Sequence, residues 1–226
     1  MIYKTRGISL HFIKYRDHSI IARVFTEKFG MQSYIVNSIR SPKARTRMAL
    51  FQPLSLLDLV VYYNKKKDIN RISEIKFLEN HHSIPFNMHK ISIALFITEF
   101  LGKIFREEGQ NQPMFDFLIN SIRYFEGQEK DFGSFHLVFL LKLSAYMGIK
   151  PRSAESLALE INSSMVLDKT KLEKFDRLLD SGYGDTDKMS VELRNQFLDI
   201  ILNFYNYHFD YIGECKSVQV LREVLR

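Results

Sequence analysis

The hydrophobic period of this chain changes near residue 80, and that change limits the fold more than any single motif. Ahead of it, Ile8, Leu10 and Phe12 alternate with Ser9, His11 and Ile13, the pattern of a half-buried strand. Residues 19–26 are rich in Ile, Val and Phe, and Phe29-Gly30 closes them with a turn. Residues 31–39 alternate again. A long apolar strand is expected over residues 54–63, opened by Pro53, where a missing N–H is tolerated. Residues 71–79 supply a fifth strand with Ile72, Ile75 and Phe77 as its apolar positions. Five short strands joined by loops rather than helices suit a small barrel or sandwich.

Beyond His81-His82-Ser83-Ile84-Pro85 the spacing becomes helical. Ile93, Ile97, Phe100 and Ile104 mark a helix over residues 87–108, and Ile91, Ala94, Leu95, Leu101 and Phe105 cover much of its remaining surface, so other helices should enclose it. Pro113 fits the first turn of a helix running to about residue 125. Residues 132–147 form another, stopped by Gly148. Residues 152–168 have weak periodicity and read as loop or irregular structure. Shorter helices are expected over 170–179 and 217–225, and a long one over 190–208. The expectation is an α+β chain of two domains, residues 1–80 built of strands and residues 81–226 all helical.

Charge divides at the same place. Residues 1–79 hold 15 Lys/Arg against 6 Asp/Glu, a balance of +9, whereas residues 80–226 carry 17 against 20, a balance of −3. One third of the chain thus holds the whole positive excess, as in a polyanion-binding module joined to a near-neutral one. Basic loops on five strands make an oligonucleotide-binding (OB) barrel the economical candidate. The densest cluster is Arg40-Ser41-Pro42-Lys43-Ala44-Arg45-Thr46-Arg47, between two apolar strands and without a balancing acid. Asn64-Lys65-Lys66-Lys67-Asp68 forms a second basic turn.

Several chemistries find no support. No dinucleotide or P-loop glycine spacing occurs, nor a His-Glu-x-x-His, EF-hand or Gly-x-Ser-x-Gly motif. His81, His82 and His89 cluster without further ligands, so a solvated junction is expected there rather than a metal site. Asp58 lies in an apolar strand with no partner acid or histidine at a telling distance, so an edge-strand or outward-facing carboxylate is expected. The single Cys215 excludes an internal disulfide and a multi-cysteine zinc cluster. No window of 18 apolar residues and no signal-peptide pattern occurs, so the chain reads as soluble and cytoplasmic.

The cations of the first part stand among aromatics. Lys4, Arg6, Lys14, Arg16, Arg23 and Lys28 share strands and turns with Tyr3, Phe12, Tyr15, Tyr34, Tyr62 and Tyr63. Cations that track a backbone, with aromatics for stacking, suit single-stranded nucleic acid, although about half of those aromatics should fill the barrel core. The expected DNA contacts are Arg40, Lys43, Arg45 and Arg47, then Lys65, Lys66 and Lys67, with Arg6 and Arg23 beside them.

Certain segments resemble one family. Thr5-Arg6-Gly7-Ile8 resembles the opening strand of RecO, the bacterial recombination mediator, and residues 19–26 with Phe29-Gly30 resemble its second strand and turn. Arg40 is similar to the arginine of its basic loop, and Leu50-Phe51-Gln52-Pro53-Leu54 to its Leu-Gln-Pro-Phe segment. Lys216-Ser217 followed by Val220-Leu221 resembles the start of its last helix. The resemblance covers almost the whole chain. It implies an OB domain followed by a helical domain, and a non-catalytic, nucleoid-associated role. That role comprises binding single- and double-stranded DNA, annealing strands, engaging the acidic tail of single-strand-binding protein (SSB) and, with RecR, helping RecA replace SSB.

Two departures accompany it. Many members carry a four-cysteine zinc site around the region matching residues 150–180, where this chain has no cysteine, so no zinc and no cofactor are expected. The basic loop often reads Gly-Ala-Arg in the family and is Ser38-Ile39-Arg40 here, which restricts the backbone. An acidic tail ending in an apolar residue needs a cation beside an apolar pocket, for which Arg123 and Lys142 are candidates. The alternative reading is a general single-stranded DNA- or RNA-binding OB protein without recombination partners. A nuclease would need paired carboxylates that the sequence does not display.

Overall fold

The computed structural model describes residues 1–16, 19–37, 48–106, 109–161, 168–185 and 188–226. These fall into two compact units, Met1–Glu126 and Gly127–Arg226. The first unit therefore extends well past the change of period at residue 80, because two helices belong with the strands.

Five strands form a closed barrel: β1 (Ile2–Tyr15), β2 (Ser19–Thr26), β3 (Gly30–Asn37), β4 (Leu56–Tyr62) and β5 (Ile69–Phe77), in the order β1-β2-β3-β5-β4. This is OB topology, with β3 and β5 paired in parallel through Ser33–Ile69 and Ile35–Arg71 while all other pairs are antiparallel. Strand β1 is long enough to serve two partners. Its first half pairs with β4 from Ile2 to Ile8, and its second half with β2 from Gly7 to Tyr15, with a register shift between Ser9 and His11. Where the partners change, Gly7 crosses the barrel wall. A Cβ there would come within 2.7 Å of Val24 Cγ1 and 2.9 Å of Leu59 Cδ1, so a side chain at this position would displace both neighbours.

The alternation read from the sequence builds the barrel interior. Ile20, Ala22 and Val24 of β2, Tyr34 and Val36 of β3, Leu57, Leu59 and Val61 of β4, and Ile72 of β5 are buried together. Strand β4 begins at Leu56 rather than at residue 54. Leu54 has φ 63, outside strand geometry, and its N–H donates to Ser9 O at 3.0 Å while Ser9 N–H donates to Ser55 O at 2.9 Å. The Phe51–Ser55 turn is thereby fastened to the irregularity in β1.

Helices α1 (Met88–Ile104) and α2 (Gln112–Gly127) complete this part of the chain. Asn87 caps α1, accepting from His89 and Lys90 N–H at 3.0 and 3.2 Å. Phe25 of β2 stacks on Phe105, with ring centroids 4.9 Å apart, and lies 6.2 Å from Phe115 of α2. A lysine holds the two helices. Lys90 is only 1% exposed, and its Nζ donates to Ser83 Oγ at 2.6 Å, Phe125 O at 2.7 Å and Glu126 O at 3.0 Å. The ammonium thus satisfies carbonyls at the C-terminal end of α2, where the helix dipole favours a cation. Glu126 complements it, its carboxylate accepting from His82, Ser83 and Ile84 N–H at 2.5–2.9 Å.

The second unit contains α3 (Phe135–Tyr146), α4 (Ala154–Glu160), α5 (Lys169–Asp180), α6 (Val191–His208) and α7 (Ser217–Val224). Helix α3 is apolar on all sides, and Phe135, Leu137, Val138, Phe139, Leu140, Leu141 and Leu143 are all buried. Its end at Gly148, with φ 75, is the left-handed stop expected there. Tyr205 of α6 donates its hydroxyl to Leu140 O at 2.7 Å.

Helix α4 corrects the expectation of irregular structure. Seven residues are too few to establish a period, yet Ser153 accepts from Ser156 N–H at 3.1 Å and Ser156 Oγ accepts from Ser153 N–H at 3.0 Å, a reciprocal cap. The Asp176 carboxylate of α5 accepts from Ala154 N–H at 2.6 Å, and Phe175 packs edge-on against Phe197 at 4.9 Å. Among the described residues no helix is long and apolar enough to cross a membrane.

Replacing Lys90 by Met keeps most of its volume but leaves the carbonyls of Phe125 and Glu126 without their donor. Urea unfolding should show Lys90→Met to be less stable by about 2 kcal/mol, within the range for buried groups left unpaired. No change in midpoint or slope would mean that those carbonyls find other partners.

Candidate nucleic-acid interface

In an OB barrel the binding surface lies on the outer face of β2 and β3, flanked by the β1–β2 and β4–β5 turns. Register places Ile13, Ile21, Ile35 and Arg71 in one rung across β1, β2, β3 and β5, with Tyr15, Ser19 and Asn37 in the rung beside it. This face is aliphatic at its centre: Ile13 is half exposed, while Ile21 and Ile35 are half-buried. Lys14 and Arg16 are exposed at the β1–β2 end, with the Arg16 guanidinium 5.1 Å from the Tyr15 ring centre.

The opposite flank is better defined. Lys65, Lys66 and Lys67 are all exposed on the β4–β5 turn. Two asparagines hold this turn in shape. Asn64 Oδ1 accepts from Lys66 N–H at 2.9 Å, and Asn64 O accepts from Lys67 N–H at 3.0 Å. Asn70, buried at the middle pairing of β5 with β3, accepts from Asn64 N–H at 2.8 Å and donates to Gln32 Oε1 of β3 at 3.3 Å. The three ammonium groups therefore project from a fixed backbone, which reduces the entropy lost on binding a polyanion. Aromatic rings adjoin it: Phe29 stacks on Tyr63 with centroids 3.9 Å apart, and Tyr3 lies edge-on to Phe29 at 5.3 Å. That stack brings the β2–β3 turn, with exposed Lys28, beside the lysine turn.

The structure sorts the candidate cations by their partners. Arg6 is committed internally, donating through Nε and Nη2 to Glu27 at 3.0 and 2.7 Å and lying 5.2 Å from the Phe115 ring centre. Asp116 is 3.7 Å away, and Gln112 donates to Glu27 at 3.3 Å. The Arg6 hydrogen bonds hold the Glu27 carboxyl below its ordinary range, against the opposing effect of burial. Arg23 is also engaged, with Nη1 donating to Gly102 O at 3.2 Å, and burial followed by nearby Arg106 lowers its pKa. Both arginines brace β1 and β2 against the helices. Arg40, Lys43, Arg45 and Arg47 lie outside the described residues.

The aromatics divide as well. Tyr34 is fully buried, Phe12, Tyr3 and Tyr63 pack partly against the core, and Tyr62 is 46% exposed. Asp58 faces outward, 3.2 Å from Lys76 Nζ. Arg123 pairs with Glu79 through Nε at 3.0 Å and also through Nη2, which holds the Glu79 carboxyl down. Lys142, in the second unit, lies 5.6 Å from the centre of the Tyr183 ring. Sequence reasoning named Asn64 only as the start of the basic turn and missed Asn70, whose distance from the lysines gives no local signal.

Comparison with known proteins follows the same division. A family model described as Recombination protein O N terminal matches residues 1–81, and one described as Recombination protein O C terminal matches residues 85–225. The chain belongs to the RecO family. It is 34% identical over 243 residues to the DNA repair protein RecO of Bacteroides fragilis and 32% identical over 239 residues to that of Phocaeicola vulgatus, with 99% of each chain covered in both cases. The RecO of Flavobacterium psychrophilum is 30% identical over 237 residues, again with 99% coverage of each. The RecO assignment places the chain in DNA repair and recombination. The barrel and the helices are accordingly the N- and C-terminal parts of a RecO, and the break between the two family models falls at residues 82–84, on the backbone that Glu126 holds.

The Arg6–Glu27 pair gives a pH test. Because the folded Glu27 carboxyl is depressed, its stabilisation is complete above the unfolded carboxylate range and is lost as pH falls through the folded value. Glu27→Gln should cost about 1 kcal/mol at pH 7, typical of a lost charge-assisted hydrogen bond. The difference from wild type should shrink as pH falls below about 4.5. Denaturant titrations at pH 7 and pH 3 read both arms, and an equal gap at the two values would rule out ionised Glu27 as its source.

Proposed function

We propose that this RecO is a non-catalytic mediator that binds DNA on the barrel and anneals complementary strands. In this reading it engages the SSB tail and, with RecR, promotes loading of RecA on gapped DNA. The observation that carries the DNA-binding step is the asparagine-braced Lys65–Lys67 turn, next to the Phe29–Tyr63 stack, in the third of the chain that holds all the positive excess. Annealing requires two phosphate backbones to be neutralised while base edges stay free, and lysines on a fixed turn neutralise charge without reading sequence. Arg40, Lys43, Arg45 and Arg47, which follow β3 in sequence, are the second set of proposed phosphate contacts.

Support for these partners is the family resemblance alone, and they are proposed on that basis. For the SSB tail, Arg123 and Lys142 stand as candidate contacts. Arg123 would have to exchange Glu79 for a tail carboxylate, and Lys142 would have to leave the Tyr183 ring. Arg6 and Arg23 act in this reading by holding the barrel against its helices, not by touching phosphate.

Fluorescence anisotropy of labelled single-stranded DNA across a salt series tests the proposal. Wild type should bind with steep salt dependence. Changing Lys65, Lys66 and Lys67 together to Glu should weaken binding and reduce the log–log slope by up to about 2, at about 0.7 per phosphate contact on a single strand. A second variant with Arg40, Lys43, Arg45 and Arg47 changed to Glu should behave similarly. Unaltered affinity and slope in both variants would move DNA off these surfaces. DNA binding without recognition of RecR or the SSB tail would favour a general single-strand-binding role.

A further inference from the structure

On the five strands, one aromatic side chain stands in water. Among their described residues Tyr62 is 46% exposed, whereas Tyr3, Phe12, Tyr15 and Phe77 are half-buried and Phe25 and Tyr34 are buried. Tyr62 ends β4 and points outward because Val61, beside it, fills the core. Register puts Ile2 of β1 on one side of it and Arg71 of β5 on the other. Directly opposed residues of antiparallel strands have Cβ atoms about 4.5–5.5 Å apart, so both side chains flank the ring. Ile2 is 59% exposed, and Ile69, on the same face of β5 two residues before Arg71, is 43% exposed.

Cations surround this apolar spot. Arg71 is exposed beside the ring, and exposed Lys4 is the next outward residue of β1 after Ile2. Lys65, three residues after Tyr62, is at most about 10 Å away along the chain. Lys66 and Lys67 follow on the turn that Asn64 and Asn70 hold. The exposed acids of the same turn and strand are Asp68 and Glu74, so five cations meet two carboxylates. The backbone beneath Tyr62 is fixed at both edges by β1 and β5, and Tyr63 N–H donates to Met1 O at 3.0 Å. An apolar partner would take water from these cations without replacing it. A single nucleic-acid strand supplies phosphates for them and a flat ring for Tyr62.

We propose that Tyr62 stacks on one base of a single strand whose phosphates are held by Arg71 and the Lys65–Lys67 turn. The inference rests on the DNA-binding reading above and adds to it a residue that holds a base rather than a phosphate. Stacking occupies the face of that base and leaves its pairing edge open to a complementary strand, as annealing requires. It also favours single strands, because a duplex keeps its bases stacked on one another. Sequence matters little, since every base has a ring face.

The test compares an oligothymidine with an abasic deoxyribose-phosphate oligomer of the same length. Wild type should prefer the base-bearing strand. Tyr62→Ala should weaken oligothymidine binding by about 5- to 100-fold, as expected for loss of one stacked base, and leave abasic binding unchanged. Tyr62→Phe keeps the ring and should keep the affinity. The variant with Lys65, Lys66 and Lys67 changed to Glu should lose affinity for both oligomers. The chain contains no tryptophan, so Tyr62→Trp places a single emitter at this position. Its fluorescence should be quenched by oligothymidine and not by the abasic oligomer. Three outcomes would overturn the stacking and leave the DNA-binding reading intact: no quenching by bound oligothymidine, equal losses on both oligomers in Tyr62→Ala, or unchanged oligothymidine binding by Tyr62→Ala while the lysine variant is impaired. The last of these would assign the Ile2, Tyr62 and Ile69 surface to a protein partner. Failure of wild type to bind either oligomer would overturn both readings.

Discussion

Closure of the barrel by three residues is the constraint on which the first unit depends. β3 meets β5 only from Ser33–Ile69 to Ile35–Arg71, yet that short parallel contact turns a curved sheet into a barrel. Without it, β3 and β5 would each present an unpaired edge, the feature that invites aggregation. Asn70 sits in the middle of this contact, opposite Tyr34, and its buried side chain also fixes the lysine turn and reaches Gln32. One side chain therefore links closure of the fold to the geometry of the candidate interface. An exposed turn of three lysines would otherwise be held open by its own charge repulsion.

Much of this was legible because strands buried on one face must alternate. Ile20, Ala22 and Val24, or Leu57, Leu59 and Val61, announce their inward face directly. What the alternation conceals is a strand that changes partners. β1 runs from Ile2, well before the alternating Ile8–Phe12 stretch, and the shift between Ser9 and His11 breaks its phase. The start of β4 was misplaced for a related reason: Leu54 looks like strand by composition, but a positive φ turns it into the connection that anchors Ser9. Short α4 was invisible to periodicity and is defined instead by its serine cap.

The candidate site was legible as charge and not as availability. Arg6 and Lys65 are equally cationic in a sequence, yet Arg6 is neutralised by Glu27, 21 residues away, and Arg123 by Glu79, 44 residues away. Such pairings are set by strand register and helix placement, which residue spacing does not reveal. The lysines of residues 65–67 could be recognised as exposed because a turn with asparagine at its start has no interior to enter. The same reasoning separates the aromatics. Tyr34 sits at an inward register position and fills the core, whereas Tyr62, one strand position away from Val61, points out.

Lys90 resisted recognition for a deeper reason. On an otherwise apolar helix a lysine reads as the solvent-facing residue, and its position gives no hint that helix α2 ends over it. Burying an ammonium is unfavourable unless several acceptors surround it, and here two carbonyls, a hydroxyl and the face of the Phe125 ring do so. Its counterpart Glu126 gathers the N–H groups of residues 82–84, the backbone on which the two RecO family regions meet. A connector fastened in this way cannot serve as a free hinge between the barrel and α1. The helices of residues 88–127 thus behave as part of the barrel's unit, although by sequence family they fall with the helical region. Compactness and family boundary differ because the Lys90–Glu126 clamp ties residues 82–84 and α1 to the end of α2, whatever the change of period.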